Sequence, residues 1–392
     1  MVKNAEFDVV IYGASGFTGR LVAEYLVQNY KHSNIAWALA GRDEAKLVKI
    51  RDEIGASEDT PLVVADCKDG TALAAMAKTA KCIISTVGPY TLYGEKLVEV
   101  CAREGTDYVD LCGEVLFMHE MITKHEETAK KSGARIVFSC GFDSIPFDLG
   151  VQFLEEEAVR RFGVPCPRVR TRVSALKLFP SGGSISSVKV VMDQVKKYPS
   201  LLTPLMDPFS LTGGFVGLEQ PPANKVIKDE TLDVWVAPFM LAIVNAKNIH
   251  RSNALLGHAY GQNFVYDEMI IGGEGDAGKA AADAYAATGV VEFGGDPPKP
   301  GEGPSKEERD KGFFEILVHG TASTGETLSI TVKDDVDPGY GSTSKMLAES
   351  ALCLLEERAD TPGGIYTTAP AMGADLRKRL IERAGFKFEV ES

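Results

Sequence analysis

Three glycines spaced three apart, Gly13-Ala-Ser-Gly16-Phe-Thr-Gly19, carry the clearest chemical signal in the chain. They lie directly between an apolar run, Phe7-Asp-Val-Val-Ile-Tyr12, and a segment of helical period. In a strand–turn–helix of this kind the first glycine allows a tight turn and the second lets backbone N–H groups approach a pyrophosphate. The third lets helix and strand pack closely, and the helix N-terminus turns its positive dipole end to the anion. Contacts to a dinucleotide are therefore expected from Gly13, Ser15, Gly16, Phe17 and Thr18. The alternative, an ordinary glycine-rich turn, is the weaker reading given the strand and helix on either side.

The end of the second strand decides which dinucleotide fits. An NAD site places an Asp or Glu there for the ribose 2′-hydroxyl; this chain has Ala40-Gly41-Arg42. A guanidinium suits a 2′-phosphate through a charge-assisted fork, so Gly41 and Arg42 point to NADP(H). The competing reading leaves Arg42 solvated and gives the hydroxyl contact to Asp43. Ligands of open α/β sheets lie across the C-terminal strand edge. Asp66 and Cys67 after the third strand, and Thr86, Val87, Gly88 and Tyr90 after the fourth, are the next expected contacts. Asp66 also reads as a helix N-cap, and Gly88-Pro89 as a simple turn.

Other chemistries find little support. The six histidines form no His-Glu-x-x-His, and no G-x-S-x-G is present, so neither a metal site nor a serine nucleophile is expected. Tyr340 and Lys345 are five apart, one more than the Tyr-x-x-x-Lys of short-chain dehydrogenases. For a proton donor the candidates are Asp143 and Ser144, after the sixth strand, and Tyr340 with Lys345, where the chain re-enters the first domain. Each has a structural reading too: a helix N-cap for Asp143 or Ser144, a packed aromatic for Tyr340, a surface charge for Lys345.

These residues must be held by an α/β frame. With 392 residues, two domains are expected, with a small third piece. Up to Ser139 apolar runs alternate with helix-period segments, which predicts a doubly wound, Rossmann-type parallel sheet over residues 1–146. Arg168 to Leu178 then alternates as a half-exposed antiparallel strand would. It opens a second α/β domain with a mixed or antiparallel sheet, over residues 147–341, and residues 342–392 read as helices returning to the first domain. Residues 199–245 show no clear period. Residues 294–311 read as an exposed loop, and 313–319 with 327–333 as a hairpin.

A formal charge of −13 excludes a nucleic-acid partner. The seven cysteines, odd in number and without a C-x-x-C, read as reduced and mostly buried. Neither a signal peptide nor a membrane span is evident, which predicts a cytoplasmic protein, with peripheral membrane contact left open.

Taken together, Gly-Ala-Ser-Gly-Phe-Thr-Gly at 13–19, Ala-Gly-Arg at 40–42, Val-Gly-Pro-Tyr at 87–90, Tyr-Val-Asp-Leu-Cys-Gly-Glu at 108–114, Gly-Phe-Asp-Ser-Ile-Pro at 141–146, Ser-Gly-Gly at 181–183 and Asp-Pro-Gly-Tyr-Gly at 337–341 resemble the saccharopine dehydrogenase-like oxidoreductases, in particular the trans-acting enoyl reductases. The resemblance implies an NADP-binding domain, a second domain whose sheet carries dimer contacts or substrate, and reduction of a carbon–carbon double bond in lipid or polyketide precursors. It carries over to the cofactor motifs and assigns no catalytic acid. An NADPH-dependent reductase of an apolar, unsaturated small molecule, assembled as a homodimer, is the expectation. The alternatives are an NADP-binding redox sensor or scaffold, and a saccharopine-like amino acid dehydrogenase, for which no receiving cluster of arginines is evident. The crowded apolar side chains of residues 201–244 motivate the apolar substrate; their competing reading is core or dimer interface.

Overall fold

The computed structural model describes residues 5–288, 298–299 and 301–391. The first four residues, and most of the early part of the loop expected over 294–311, lie outside them. The first half runs β1 (Phe7–Tyr12), α1 (Phe17–Asn29), β2 (Trp37–Gly41), α2 (Glu44–Glu53), β3 (Leu62–Val64), α3 (Gly70–Thr79), β4 (Ala80–Ser85), α4 (Tyr90–Tyr93), α5 (Glu95–Glu104), β5 (Asp107–Asp110), α6 (Val115–Ser132) and β6 (Arg135–Val137). It continues through α7 (Ile145–Phe162), β7 (Arg168–Lys177), α8 (Gly182–Lys197), α9 (Leu202–Met206), β8 (Ile227–Asp229), β9 (Val234–Pro238), α10 (Ala242–Leu255), β10 (Val265–Gly273) and α11 (Gly275–Thr288). The rest is α12 (Lys306–Asp310), β11 (Phe313–Thr321), β12 (Thr327–Asp334), a π turn at Pro338–Ser342, α13 (Thr343–Glu356), β13 (Gly364–Tyr366), α14 (Thr368–Ala371), α15 (Gly373–Ala384) and β14 (Lys387–Val390).

Two seven-stranded sheets organise the chain. The first has the order β13-β6-β5-β4-β1-β2-β3 and is parallel throughout. Its strands are apolar on both faces because both are covered. Val9, Ile11, Ile84 and Val109 enter one core, and Val10, Ile83, Tyr108 and Ile136 enter another. The second sheet, β14-β12-β11-β7-β10-β9-β8, is mixed: β7 and β10 are parallel neighbours and the other pairs antiparallel. Alternation along its strands reflects coverage on one side. Val173, Ile316, Val318, Ile330 and Val332 join the core that α7 supplies with Phe147, Val151 and Leu154.

Several elements differ from the sequence reading. Residues 199–245 contain α9, β8, β9 and the start of α10, and a five-residue helix, α12, interrupts the expected 294–311 loop. The last segment is more than helices on the first domain: β13 extends the first sheet beside β6, whereas β14 pairs with β12 of the second. α13 is fixed by a buried polar knot. Glu349 accepts from the hydroxyls of Tyr25 (2.7 Å) and Tyr30 (2.6 Å), and Arg379 of α15 pairs with its other oxygen at 2.8 Å. All seven cysteines are free thiols, Cys67 half-buried and the others buried. Among the described residues no helix is long and apolar enough to cross a membrane.

Candidate cofactor and active site

β1 lies between β2 and β4, where the strand order reverses, the place at which open α/β sheets form a ligand crevice. Gly13 there has φ 92°, and a Cβ on it would fall 2.6 Å from Thr86 Oγ1 and 2.8 Å from Val87 Cγ2. Thr86 Oγ1 is within hydrogen-bonding distance of the Tyr12 and Gly13 carbonyls, at 3.2 and 3.3 Å. A Cβ on Gly19 would lie 2.3 Å from the Gly13 oxygen, so the glycines allow α1 to start against the end of β1. Gly16 is the N-cap of α1; no side chain caps this end, and no acid occupies the first turn. The first N–H groups of a helix lack intrahelical acceptors. This chain therefore leaves its α1 terminus for an outside anion, and a dinucleotide pyrophosphate fits it. Ser15, Gly16, Phe17 and Thr18 all keep part of their surface open.

At the end of β2, Arg42 is exposed, with no hydrogen bond or ion pair among the described residues. Asp43 is committed elsewhere: it caps α2, accepting from the Lys46 N–H at 3.1 Å. Of the two side chains at this strand end, Arg42 is the one left free among the described residues. Gly41 is buried beside Ser15, whose Oγ would lie 3.7 Å from a Cβ at Gly41. Asp66 accepts from the Lys68 N–H at 2.8 Å, which holds its carboxyl below the usual range; the charge of Arg42 adds to this. It does not cap α3, because Asp69 does. Burial, and then the charge of Asp66, push the half-buried Cys67 thiol up.

Beyond β4, Gly88 remains at the crevice, while Tyr90 is buried with its hydroxyl donating to the Ser85 carbonyl at 3.0 Å. Glu114, named in a motif but given no role by the sequence reading, organises this loop. It accepts from the N–H groups of Tyr90 and Thr91, both at 2.8 Å, and from Ser187 Oγ of α8 at 2.7 Å.

The proton-donor candidates separate. Asp143 keeps part of its surface open, and its Oδ2 would stand 2.9 Å from a Cβ at Gly113, beyond β5. Desolvation pushes its carboxyl up to about 6. Ser144 is buried and occupies the N-cap position of α7 without capping it; its hydroxyl accepts from Asn248 Nδ2 at 2.7 Å. The sequence reading missed a second acid here, Glu268 of β10. It is buried, accepts from Asn245 Nδ2 and the Tyr266 hydroxyl, each at 2.8 Å, and is pushed up to about 8 by burial, with the charge of Asp143 adding to the effect.

Tyr340 packs edge-on against Phe17, and its hydroxyl lies 2.6 Å from Ser184 Oγ. Burial raises its pKa. Lys345 points elsewhere: it pairs with Asp334 of β12 at 3.2 Å, donates to the Ala384 carbonyl at 3.0 Å and lies over the Phe386 ring. Its partners make it an anchor between α13 and the second sheet, not a free surface charge.

The saccharopine dehydrogenase NADP-binding domain family matches residues 9–137, which span β1 to β6. A trans-acting enoyl reductase of Mycobacterium leprae is 36% identical, covering 96% of this chain and 96% of its own length. A trans-acting enoyl reductase of Mycobacterium tuberculosis is likewise 36% identical with 96% of each chain covered. In fold, the chain is similar to an apo saccharopine dehydrogenase (L-Glu forming) from Saccharomyces cerevisiae, with a TM-score of 0.51 at 13% identity, covering 98% of this chain and 100% of that one. An NADP-binding crevice, a mixed second sheet and full-length relatives lead to one conclusion: the chain is an NADP-dependent oxidoreductase of the saccharopine dehydrogenase-like family, in the branch to which the trans-acting enoyl reductases belong.

Proposed function

We propose that the protein reduces a carbon–carbon double bond of an apolar acyl precursor. NADPH, when bound, supplies the hydride for the electrophilic carbon, and a proton must reach the adjacent carbon. On the protein side, the α1 terminus and Arg42 hold the phosphates, and Phe17 and Tyr340 wall the loop. Asp143 is the acid on the crevice side, and Glu268 behind it keeps its proton at neutral pH.

The observation that supports the substrate class is a set of apolar side chains left exposed on α8 and α4, the two elements next to the β4 loop. α8 is tied to the β4 loop through Ser187 and Glu114, yet Gly182 is the one fully buried residue of this helix. Val188 and Met192 of α8 and Leu92 of α4 are each more than half exposed. Of the 201–244 side chains, Leu205, Phe209, Leu211 and Phe239 are buried, which answers to the core reading, whereas Leu202, Met206 and Met240 remain open. Exposed apolar side chains on neighbouring elements offer a surface for an apolar ligand.

Titration of the NADPH complex with enoyl thioesters of increasing chain length tests this. Each methylene buried contributes up to about 0.8 kcal/mol, so affinity should rise with length. Affinity flat with length, together with turnover of a short charged amino acid, would favour the amino acid dehydrogenase. Tight NADPH binding without turnover of any enoyl substrate would favour a sensor.

A further inference from the structure

β7 carries Arg168, Arg170 and Arg172 at alternate positions, so all three side chains leave the same face of the second sheet, opposite to Val169 and Val173, which join the core. The neighbouring strands complete a cleft of about 390 Å³ on that face. In register with β7, Asp267 of β10 lies opposite Arg170, and His319 of β11 flanks Arg170 on the other side. Two of the arginines are neutralised locally: Arg172 by Asp229 at 2.8 Å and Asp267 at 2.7 Å, and Arg168 by Asp267. Arg170 is half-buried, and among the described residues no carboxylate pairs with it. The cleft is lined by five basic side chains against three acidic ones, in a chain whose formal charge is −13.

His319 gives an independent sign of a missing partner. It is 7% exposed; its Nδ1 lies 2.9 Å from Ser329 Oγ, and its Nε2 is buried without a hydrogen-bond partner. Burial, and then the charge of Arg170, lower the pKa of the imidazole. The tautomer in which the Ser329 hydroxyl donates to Nδ1 puts the proton on Nε2 and leaves an unused donor beside an unused guanidinium; the other tautomer leaves an unused acceptor there. Buried donors and half-buried charges are costly unless satisfied. The remaining lining is mostly apolar, from Pro221, Pro222, Ala223, Ile227 and Met269 with Asn224 and Thr231, and His319 lies next to Arg170 just outside it.

We propose that this cleft binds a phosphate monoester with an apolar body, its phosphate held by Arg170 on the side that His319 flanks and its body against Pro221, Ile227 and Met269. A guanidinium fork with a third donor matches the three free oxygens of a phosphate better than the two of a carboxylate. The site lies on the face of the second sheet opposite to Glu268, so this inference stands apart from the reduction proposed above and does not depend on it.

The test is calorimetric titration at low ionic strength of protein saturated with NADPH, so that the glycine loop is already filled, with phenyl phosphate, inorganic phosphate and benzoate. Phenyl phosphate should bind one to one, more tightly than either of the others. Arg170→Gln should weaken it roughly ten- to a hundredfold, the loss expected for a charge-assisted pair, and leave NADPH affinity unchanged. Should that variant not fold, Arg170→Lys keeps the charge without the fork and should still weaken phenyl phosphate selectively. Binding unaltered by either variant, benzoate equal to phenyl phosphate, or no phosphate binding would overturn the proposal. So would a dimer that dissociates on Arg170→Gln, since Arg170 would then be meeting a carboxylate of a second copy.

Discussion

The ring of Phe17, inside the glycine loop, meets the ring of Tyr340 edge to face, with centroids 5.1 Å apart and planes at 77°. A residue in the first turn of α1 is thereby packed against a turn more than three hundred residues later in the chain. Arg309 lies over the same Phe17 ring at 5.7 Å, and the Tyr340 hydroxyl continues the link to Ser184 of α8. The loop that receives the cofactor is shaped by the second half of the chain as well as by its own glycines.

Tyr340→Ala should therefore weaken NADPH about three- to tenfold, the size of one lost aromatic pair. Tyr340→Phe, which keeps the ring, should bind NADPH nearly as the wild type does. Fluorescence titration of NADPH checks both. A large drop in kcat for Tyr340→Phe, at unchanged NADPH affinity, would instead give the hydroxyl a part in proton transfer.

Arg42→Ala should lower NADPH affinity by about one to two powers of ten and leave NADH nearly unchanged, because only NADPH carries the 2′-phosphate. Equal affinity of the wild type for both cofactors would remove Arg42 from the site.

The raised carboxyl of Glu268 makes stability depend on pH. The folded protein holds this proton between the ordinary value of 4.5 and its folded value of about 8, whereas the unfolded chain releases it, so stability falls as pH rises through that window. Glu268→Gln carries no ionisable proton and removes this part of the slope. The Tm of the variant relative to the wild type should increase from about pH 5 to about pH 8.5. Glu155, also pushed up to about 8 by burial, contributes to both proteins and cancels in the difference. A Tm difference independent of pH would mean that Glu268 titrates normally.

Arg379→Met should cost about 3–5 kcal/mol, because it strands Glu349 without its cation in the interior. Glu349→Gln keeps acceptors for Tyr25 and Tyr30 and should cost less. Urea midpoints rank the two, and the reverse order would show that the tyrosines alone sustain the knot.

Strands β1 to β6 of the first sheet were legible from sequence because apolar runs there alternate with helix-period segments, so period and punctuation agree; β13, three residues far along the chain, was not. The tight strand-to-helix turn followed from Gly13, Gly16 and Gly19, whose neighbours in sequence are also neighbours in space. What escaped was held together by polar contacts. α10 buries Asn245, Asn248 and Ser252 against Glu268, Ser144 and Asp148, so its inner face has no hydrophobic period. β10 turns Glu268 into the core beside Tyr266 and Ile270, which breaks the alternation expected of a strand. The arginines at 168, 170 and 172 were visible as residues, but only pairing with β10 and β11 makes them a cluster. Lys345 was misplaced for the same reason: proximity to Tyr340 along the chain says nothing about Asp334, its actual partner.

The proposed reaction passes a hydride from NADPH to an unsaturated acyl carbon. NADPH carrying deuterium in the transferable position of the dihydronicotinamide, incubated with a long-chain enoyl thioester and the protein, tests it by mass spectrometry of the product. The account predicts a saturated thioester bearing one deuterium on the acyl chain for each NADPH consumed. NADPH binding without deuterium transfer to any enoyl thioester would contradict it.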